Sequence, residues 1–330
     1  MGSQTSPIPL VFGTTSVHSA GSFSTNEAIT SLFHTLLEHC INTIDTAQIY
    51  GGGNSEVVLG EAGVADLGFT LDTKAPGVFV PGSLEPATIE SNLRASLAKL
   101  KVKKLDVYYI HGPDPKYPIA QTLGVLDRLH REGLFARLGL SNFSVEEVRE
   151  ACDVAAEKGL VAPTVFQGNY SAIARRAEDE LIPLLRERGI AFYSYSPLAG
   201  GFLAKRNKEE LFGAETGGRF AKGGKRSLGM YQELYSARPK LVNALETWSR
   251  ITEQEGCECP AELGYRWVAW NSAQKAGLGD KIVIGASRLE HVPQVVGWVK
   301  KGPLSEAAVK AIDAMWEEVR DEAPMDNLHP

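Results

Sequence analysis

Four residues of this chain carry side chains suited to moving a proton, and each stands where a short apolar run ends: Asp45, Tyr50, Lys74 and His111. Asp45 closes Ile41-Asn42-Thr43-Ile44-Asp45, and Tyr50 follows in the turn Ala47-Gln48-Ile49-Tyr50-Gly51. Lys74 closes Phe69-Thr70-Leu71-Asp72-Thr73-Lys74, and His111 closes Leu105-Asp106-Val107-Tyr108-Tyr109-Ile110-His111. A phenol in water titrates near pH 10, about three units too high to exchange protons readily at neutral pH. A neighbouring ammonium favours the phenolate and lowers that value, and Lys74 is the candidate. Asp45 is the obvious counter-ion for such a lysine. His111 can hydrogen-bond a substrate oxygen and stabilise charge developing on it. The set suits protonation of a carbonyl oxygen. It lacks an electron source, so a bound hydride donor is implied. Taken singly, each residue has an ordinary explanation in packing, solvation or capping. Together, at three successive strand ends, they are much harder to obtain by accident.

Those ends must be brought side by side. Short apolar or β-branched runs recur at Leu10 to Thr14, Asn42 to Asp45, Phe69 to Lys74, and Leu105 to His111. Four more follow at Ala136 to Ser141, Thr164 to Gly168, Ile190 to Ser196, and Lys281 to Gly285. Helix-patterned stretches lie between them. In Pro86 to Leu100, Ile89, Leu93, Leu97 and Leu100 recur at helical spacing. Val145 to Ala156 opens with Ser144 as a cap and acidic residues in its first turn. Strand then helix, repeated about eight times, predicts a parallel sheet with helical crossovers. That number of units points to a single (β/α)8 TIM barrel domain spanning 1–330, whose strand C-termini share one active face. A doubly wound sheet, the other arrangement considered, carries fewer strands.

Composition narrows the partners. A formal net charge of -6 argues against nucleic-acid binding, which leaves a basic stripe. Cys40, Cys152, Cys257 and Cys259 have spacings that suggest neither a disulfide framework nor a zinc site, so reduced cytoplasmic thiols are expected. No apolar run is long enough for a membrane span. Met1-Gly2-Ser3-Gln4-Thr5-Ser6 matches the short myristoylation pattern, but a chance match is the simpler reading.

No G-x-G-x-x-G fingerprint occurs. Gly51-Gly52-Gly53-Asn54-Ser55 reads as a chain turn capping the helix from Ser55 onward. Gly285-Ala286-Ser287-Arg288 leaves the last strand and enters a helix, where backbone N–H groups and Arg288 suit a phosphate. Tyr195 ends the seventh strand, where its ring could stack on a flat cofactor or simply pack. Ala199 to Gly229 breaks the rhythm. It is rich in glycine and in Lys205, Arg206, Lys208, Arg219, Lys222, Lys225 and Arg226, which suits either an anion-clamping lid or a solvated loop.

Asp45-Thr46-Ala47-Gln48-Ile49-Tyr50-Gly51, Asp72-Thr73-Lys74 and Tyr109-Ile110-His111 together resemble the signature of the aldo-keto reductase superfamily. Gly139-Leu140-Ser141-Asn142-Phe143, Gln167-Gly168-Asn169-Tyr170 and Tyr195-Ser196-Pro197-Leu198-Ala199-Gly200-Gly201 match further family segments in order, from about Leu10 to about Gln294. The last two, with Gly218-Arg219-Phe220, look most like the aflatoxin-aldehyde-reductase branch. The resemblance implies a barrel that binds NADPH in extended form and reduces a small-molecule carbonyl substrate as a monomer or homodimer. It implies Tyr50 as general acid, Lys74 and Asp45 tuning it, and His111 orienting the carbonyl. It places Ser141, Asn142 and Gln167 on the carboxamide and Tyr195 on the nicotinamide face. Ser196, Leu198 and Gly200 fall at the pyrophosphate, Ser287, Arg288, His291 and Gln294 at the adenosine phosphate, and Arg219 near a phosphate. Val295 stands where relatives carry an asparagine, and the tail Met325 to Pro330 lacks the basic group with which some relatives bind acidic aldehydes. Two other classes remain open at this point: a regulatory subunit of the same fold that holds the cofactor and turns over slowly, and a Schiff-base lyase with Lys74 as nucleophile.

Overall fold

The computed structural model describes residues 6–213, 220, 230–326 and 328. The myristoylation-like first residues, Arg219, Lys222, Lys225, Arg226 and the last two residues lie outside them. Eight parallel strands close into a barrel in chain order: β1 Leu10–Gly13, β2 Thr43–Asp45, β3 Thr70–Ala75, β4 Leu105–Ile110, β5 Phe135–Ser141, β6 Pro163–Asn169, β7 Ala191–Tyr195 and β8 Lys281–Ile284. Each expected strand is present to within one residue at either end, and β8 pairs with β1 to complete the ring.

Alternation along the strands divides the molecule into two cores. Inward positions Val11, Val107, Tyr109, Val165, Ala191, Tyr193 and Val283 fill the barrel. Outward positions such as Phe12, Ile44, Leu71, Tyr108, Phe166 and Phe192 meet the helices. The bulky Tyr109 ring fits only because β5 carries Gly139 opposite it, where a Cβ would fall 2.2 Å from the ring. Near the C-terminal ends of β2, β3 and β6 the inward positions become polar: Asp45, Lys74 and Gln167. This change from oil to charge marks where the packed barrel ends and chemistry begins.

The surrounding helices follow the sequence pattern. Pro86–Leu100 buries Ile89, Leu93, Leu97 and Leu100, each worth about 1.5–3 kcal/mol once removed from water. Pro86 supplies a first-turn residue that needs no N–H partner. Val145–Lys158 begins with a reciprocal cap. The Glu147 N–H donates to Ser144 Oγ (3.2 Å), and the Ser144 N–H donates to the Glu147 carboxylate (2.8 Å).

Two expectations need correction. The stretch after β7 is not a plain loop, because Ala199–Ala204 forms a tight helical turn and Lys208–Phe212 a short helix. The helices Pro239–Gln254 and Pro260–Arg266 then intervene before β8. The glycine turn Gly51-Gly52-Gly53 forms with positive φ throughout, but Asn54 does not cap the helix Ser55–Glu61. Its Oδ1 accepts from the Ser19 N–H instead (2.9 Å), tying this turn to the one after β1.

Candidate active site

At the C-terminal ends of β2 and β3, Lys74 Nζ lies 2.5 Å from Asp45 Oδ2, with both side chains almost wholly buried. Nζ also donates to the Thr46 carbonyl (2.8 Å), and Gln167 from β6 donates its amide to the other oxygen of Asp45 (2.8 Å). Burial pulls Lys74 downward, but Asp45 and Tyr50 more than offset it, so the amine is held above its ordinary value and stays an ammonium. A charged amine is a poor nucleophile, which weighs against Schiff-base chemistry at this position.

Tyr50 sits in the helical turn Tyr50–Gly53 after β2, partly buried, its ring centroid 5.2 Å from Lys74 Nζ. The sequence reading has the sign of the Lys74 effect right and the balance wrong. Burial raises the phenol, Lys74 lowers it by less, and Asp45 raises it further, so the net shift is upward. Tyr50 therefore stays protonated across the neutral range.

His111 follows β4 immediately and makes an edge contact with Tyr50, ring centroids 5.8 Å apart. Burial, and then the Lys74 charge, depress its imidazole well below the usual range, so it is neutral at pH 7. Its Nδ1 is buried and has no hydrogen-bond partner among the described residues. The backbone at His111 is fixed from two sides: its N–H donates to the Ala75 carbonyl (2.9 Å), and its carbonyl accepts from Asn142 Nδ2 (2.8 Å). Asn142, at φ +58° just beyond β5, also touches Ser141 Oγ (3.1 Å) and accepts from the Tyr195 hydroxyl (2.7 Å). One strained asparagine thus links His111, Ser141 and Tyr195 across three strand ends.

The remaining expected residues divide between two places. Ser196, at φ +55°, shares a hydrogen bond with the Tyr231 hydroxyl (3.0 Å), and Gly200 packs so tightly on the Tyr231 ring that a Cβ would fall 2.2 Å from it. Leu198 turns its side chain toward Gly264, so only its backbone is free to face a ligand. Ser287, Arg288 and Gln294 are exposed and His291 is partly exposed beyond β8. There Arg288 donates to His291 Nε2 (3.2 Å) and lies 3.2 Å from Glu290.

Sequence reasoning missed two groups. Tyr231, which backs Ser196 and Gly200, lies far along the chain, where Tyr231, Leu234 and Tyr235 recur at helical spacing but nothing in the letters ties them to the strand ends. The apolar triplet Val78-Phe79-Val80, whose Phe79 ring is 4.9 Å from His111, was legible as an unusually apolar loop between Gly77 and Pro81.

The sequence that builds this site has known relatives. The model of the aldo/keto reductase family matches residues 9–317. The chain belongs to the aldo/keto reductase family. It is 36% identical over 307 residues to human aldo-keto reductase family 7 member A3, covering 91% of each chain. It is 34% identical over 307 residues to human aflatoxin B1 aldehyde reductase member 4, again covering 91% of each. It is 36% identical to oxidoreductase sirO of Leptosphaeria maculans, covering 89% of this chain and 87% of that one. Membership of this family makes the chain an oxidoreductase of carbonyl compounds. Among the described residues, no helix is long and apolar enough to cross a membrane.

Proposed function

We propose that this protein reduces aldehydes or activated ketones to alcohols with NADPH, with Tyr50 as the proton donor. The observation that carries this reading is the buried Lys74–Asp45 pair beside the Tyr50 ring, with neutral His111 against the ring's edge. The aldehyde-reductase names of the relatives point the same way.

The residues present fit a nicotinamide dinucleotide. Gln167 gives its N–H to Asp45, so its carbonyl end is the one left for a carboxamide, beside Ser141 on the paired strand. Tyr195, tethered to Asn142, offers a ring held in place for stacking. The left-handed backbone at Ser196 and Gly200 suits close approach of a pyrophosphate. Arg288 and Ser287, exposed before the helix His291–Lys300, suit the 2′-phosphate that distinguishes NADPH from NADH.

When bound, the cofactor supplies a hydride to the carbonyl carbon. The chain does the rest. Tyr50 protonates the developing alkoxide; burial keeps its hydroxyl loaded, and Lys74 moderates the rise in its pKa. Asp45 keeps Lys74 charged, and Gln167 keeps Asp45 in place. His111, neutral, directs a hydrogen bond at the carbonyl oxygen rather than a competing charge.

The test is NADPH oxidation, followed by absorbance, with nitrobenzaldehyde on wild type and Tyr50→Phe together. Turnover should fall by about two to four orders of magnitude in the variant, the usual range for a lost general acid, with NADPH binding retained. Full activity in Tyr50→Phe refutes the mechanism.

A further inference from the structure

Beneath the Lys74–Asp45 pair the barrel holds a second carboxyl group, which the proton transfer described above does not use. Asp72 lies two residues before Lys74 on β3, on the same inward face, and is 0% exposed. It is also the register partner of Asp45 on β2, so two buried carboxyl groups stand side by side on neighbouring strands. One Asp72 oxygen accepts from the Val107 N–H (3.1 Å). The other is buried with no hydrogen-bond partner among the described residues. The same holds for the hydroxyl of Tyr109, the next inward residue on β4 after Val107.

The cations around Asp72 are engaged elsewhere. Lys74 lies 2.5 Å from Asp45. Arg137 on β5 holds Asp106 on β4 through two hydrogen bonds (3.0 and 2.7 Å) and donates to the Tyr193 hydroxyl on β7 (3.1 Å). Lys281 on β8 donates to Thr43 Oγ1 (3.4 Å) and stands 5.3 Å from the Tyr193 ring centroid. Asp45, Lys74, Asp106, Tyr109, Arg137, Tyr193 and Lys281 are thus the charged and titratable groups that surround Asp72. None of the three cations forms an ion pair with it. A buried carboxylate with one N–H and no counter-ion is costly, and a like charge beside it adds to the cost. Keeping the proton avoids both, in accord with the rise of its pKa to about 8, caused first by burial and then by Asp45 and Asp106.

The charge beneath Tyr50 depends on that proton. With Asp72 neutral, the Lys74 ammonium faces one carboxylate and the pair sums to zero. With Asp72 ionised, two carboxylates share one ammonium and the cluster carries a net negative charge. Asp45 already raises the Tyr50 phenol. A second carboxylate acts in the same direction: it tightens the hold of Tyr50 on its proton and opposes negative charge developing on a substrate oxygen.

We infer that, granted the reductase reading above, Asp72 is a positioning residue that serves as a neutral carboxylic acid, leaves Asp45 the sole anion at Lys74, and weakens proton donation by Tyr50 when it ionises.

The experiment pairs a spectrum with kinetics. Infrared difference spectra of the cofactor-free protein between pH 6.5 and pH 9.5 should show a protonated-carboxyl C=O band that disappears in wild type and is missing from Asp72→Asn. Initial rates with nitrobenzaldehyde and saturating NADPH then give kcat/KM from pH 6 to pH 10 for wild type, Asp72→Asn and Lys281→Met. Asparagine keeps the shape of the neutral acid and cannot ionise. The ratio of wild type to Asp72→Asn should therefore fall about tenfold between pH 7 and pH 9, as the carboxyl passes from about nine-tenths protonated to about nine-tenths ionised. Lys281 favours the ionised form, so Lys281→Met should move the wild-type fall to higher pH. This second variant keeps Asp72 in place and decides the matter if the asparagine variant does not fold; a fall that stays where it was overturns the inference. Absence of the infrared band overturns it too, because Asp72 would then be ionised at neutral pH. A band accompanied by a ratio that does not change with pH shows a protonated carboxyl with no effect on Tyr50, which also overturns it and leaves the reductase reading standing. No turnover by wild type at any pH overturns the reductase reading and the inference together.

Discussion

The Lys74–Asp45 pair has a worth that can be worked out before it is measured. The side chains are 0% and 2% exposed and 2.5 Å apart, so neither charge has water to fall back on. Converting Asp45 to Asn keeps the shape and removes the charge, leaving an ammonium with only the Thr46 carbonyl and a neutral amide. Breaking a buried pair from one side costs about 3–5 kcal/mol, because the remaining charge must be desolvated without compensation. Lys74→Met leaves the Asp45 carboxylate with the Gln167 N–H alone and should cost a similar amount. The double variant has no stranded charge, so it should cost less than either single, which is a coupling energy of at least about 3 kcal/mol. Equilibrium urea unfolding of the four proteins at pH 7, with m-values checked for constancy, gives all the terms. The pH dependence has a definite sign. Lys74 is held above 10.5, so its stabilising contribution is complete below pH 10.5 and is lost only as pH rises through the raised value. Singles that each cost less than about 1 kcal/mol, and that simply add in the double variant, would refute the reasoning.

Other consequences can be checked with the same protein. Asp72, fully buried below Lys74 with one oxygen on the Val107 N–H (3.1 Å), is pushed up to about 8 by burial and then by Asp45 and Asp106. Its folded value exceeds the unfolded 3.8, so its contribution is complete below pH 3.8 and lost as pH rises through about 8. Asp72→Asn should therefore remove the fall in stability between about pH 4 and about pH 8, and an unaltered profile would place the titration elsewhere. In the reverse reaction Tyr50 must accept a proton, so kcat/KM for alcohol oxidation should climb about tenfold per pH unit from 8 to 10, and a plateau below pH 9 would contradict the raised phenol. Arg288→Ala should weaken NADPH at least about tenfold more than NADH in titrations by fluorescence. Equal losses would remove Arg288 from the 2′-phosphate.

Periodicity revealed the barrel because each strand and each helix buries one face, and burial imposes spacing on the letters. Pro86–Leu100 was readable to the residue because proline opens it and four large apolar side chains recur on its inner face. The tetrad was readable for a related reason: strand ends are visible, and a (β/α)8 barrel brings its strand ends together. What depends on balance was not. The sign of the Tyr50 shift turns on burial against a nearby charge, and a sequence shows the charge without the burial. The role of Asn54 turned on where the loop after β1 lies. The long stretch after β7 read as a loop because helices as short as Lys208–Phe212 leave too few turns for a periodic signal.

The same burial that made the site hard to read gives each residue its role. A lysine in water would be a solvated charge; at Lys74, sealed in with one carboxylate, it becomes a fixed potential beneath a phenol. A histidine in water titrates close to neutrality; His111, desolvated and repelled by that ammonium, becomes a neutral hydrogen-bonding group. A tyrosine in water already holds its proton at pH 7; at Tyr50, burial raises that hold and Lys74 moderates it. The three shifts are coupled through Asp45. Remove its charge and the Lys74 amine loses the partner that keeps it protonated in a buried site. The ammonium that depresses His111 and moderates Tyr50 would then stand unpaired. Asp45 is thus the residue on which the charge of Lys74 depends, and through it the smaller, electrostatic part of the His111 and Tyr50 shifts, burial being the larger part of both.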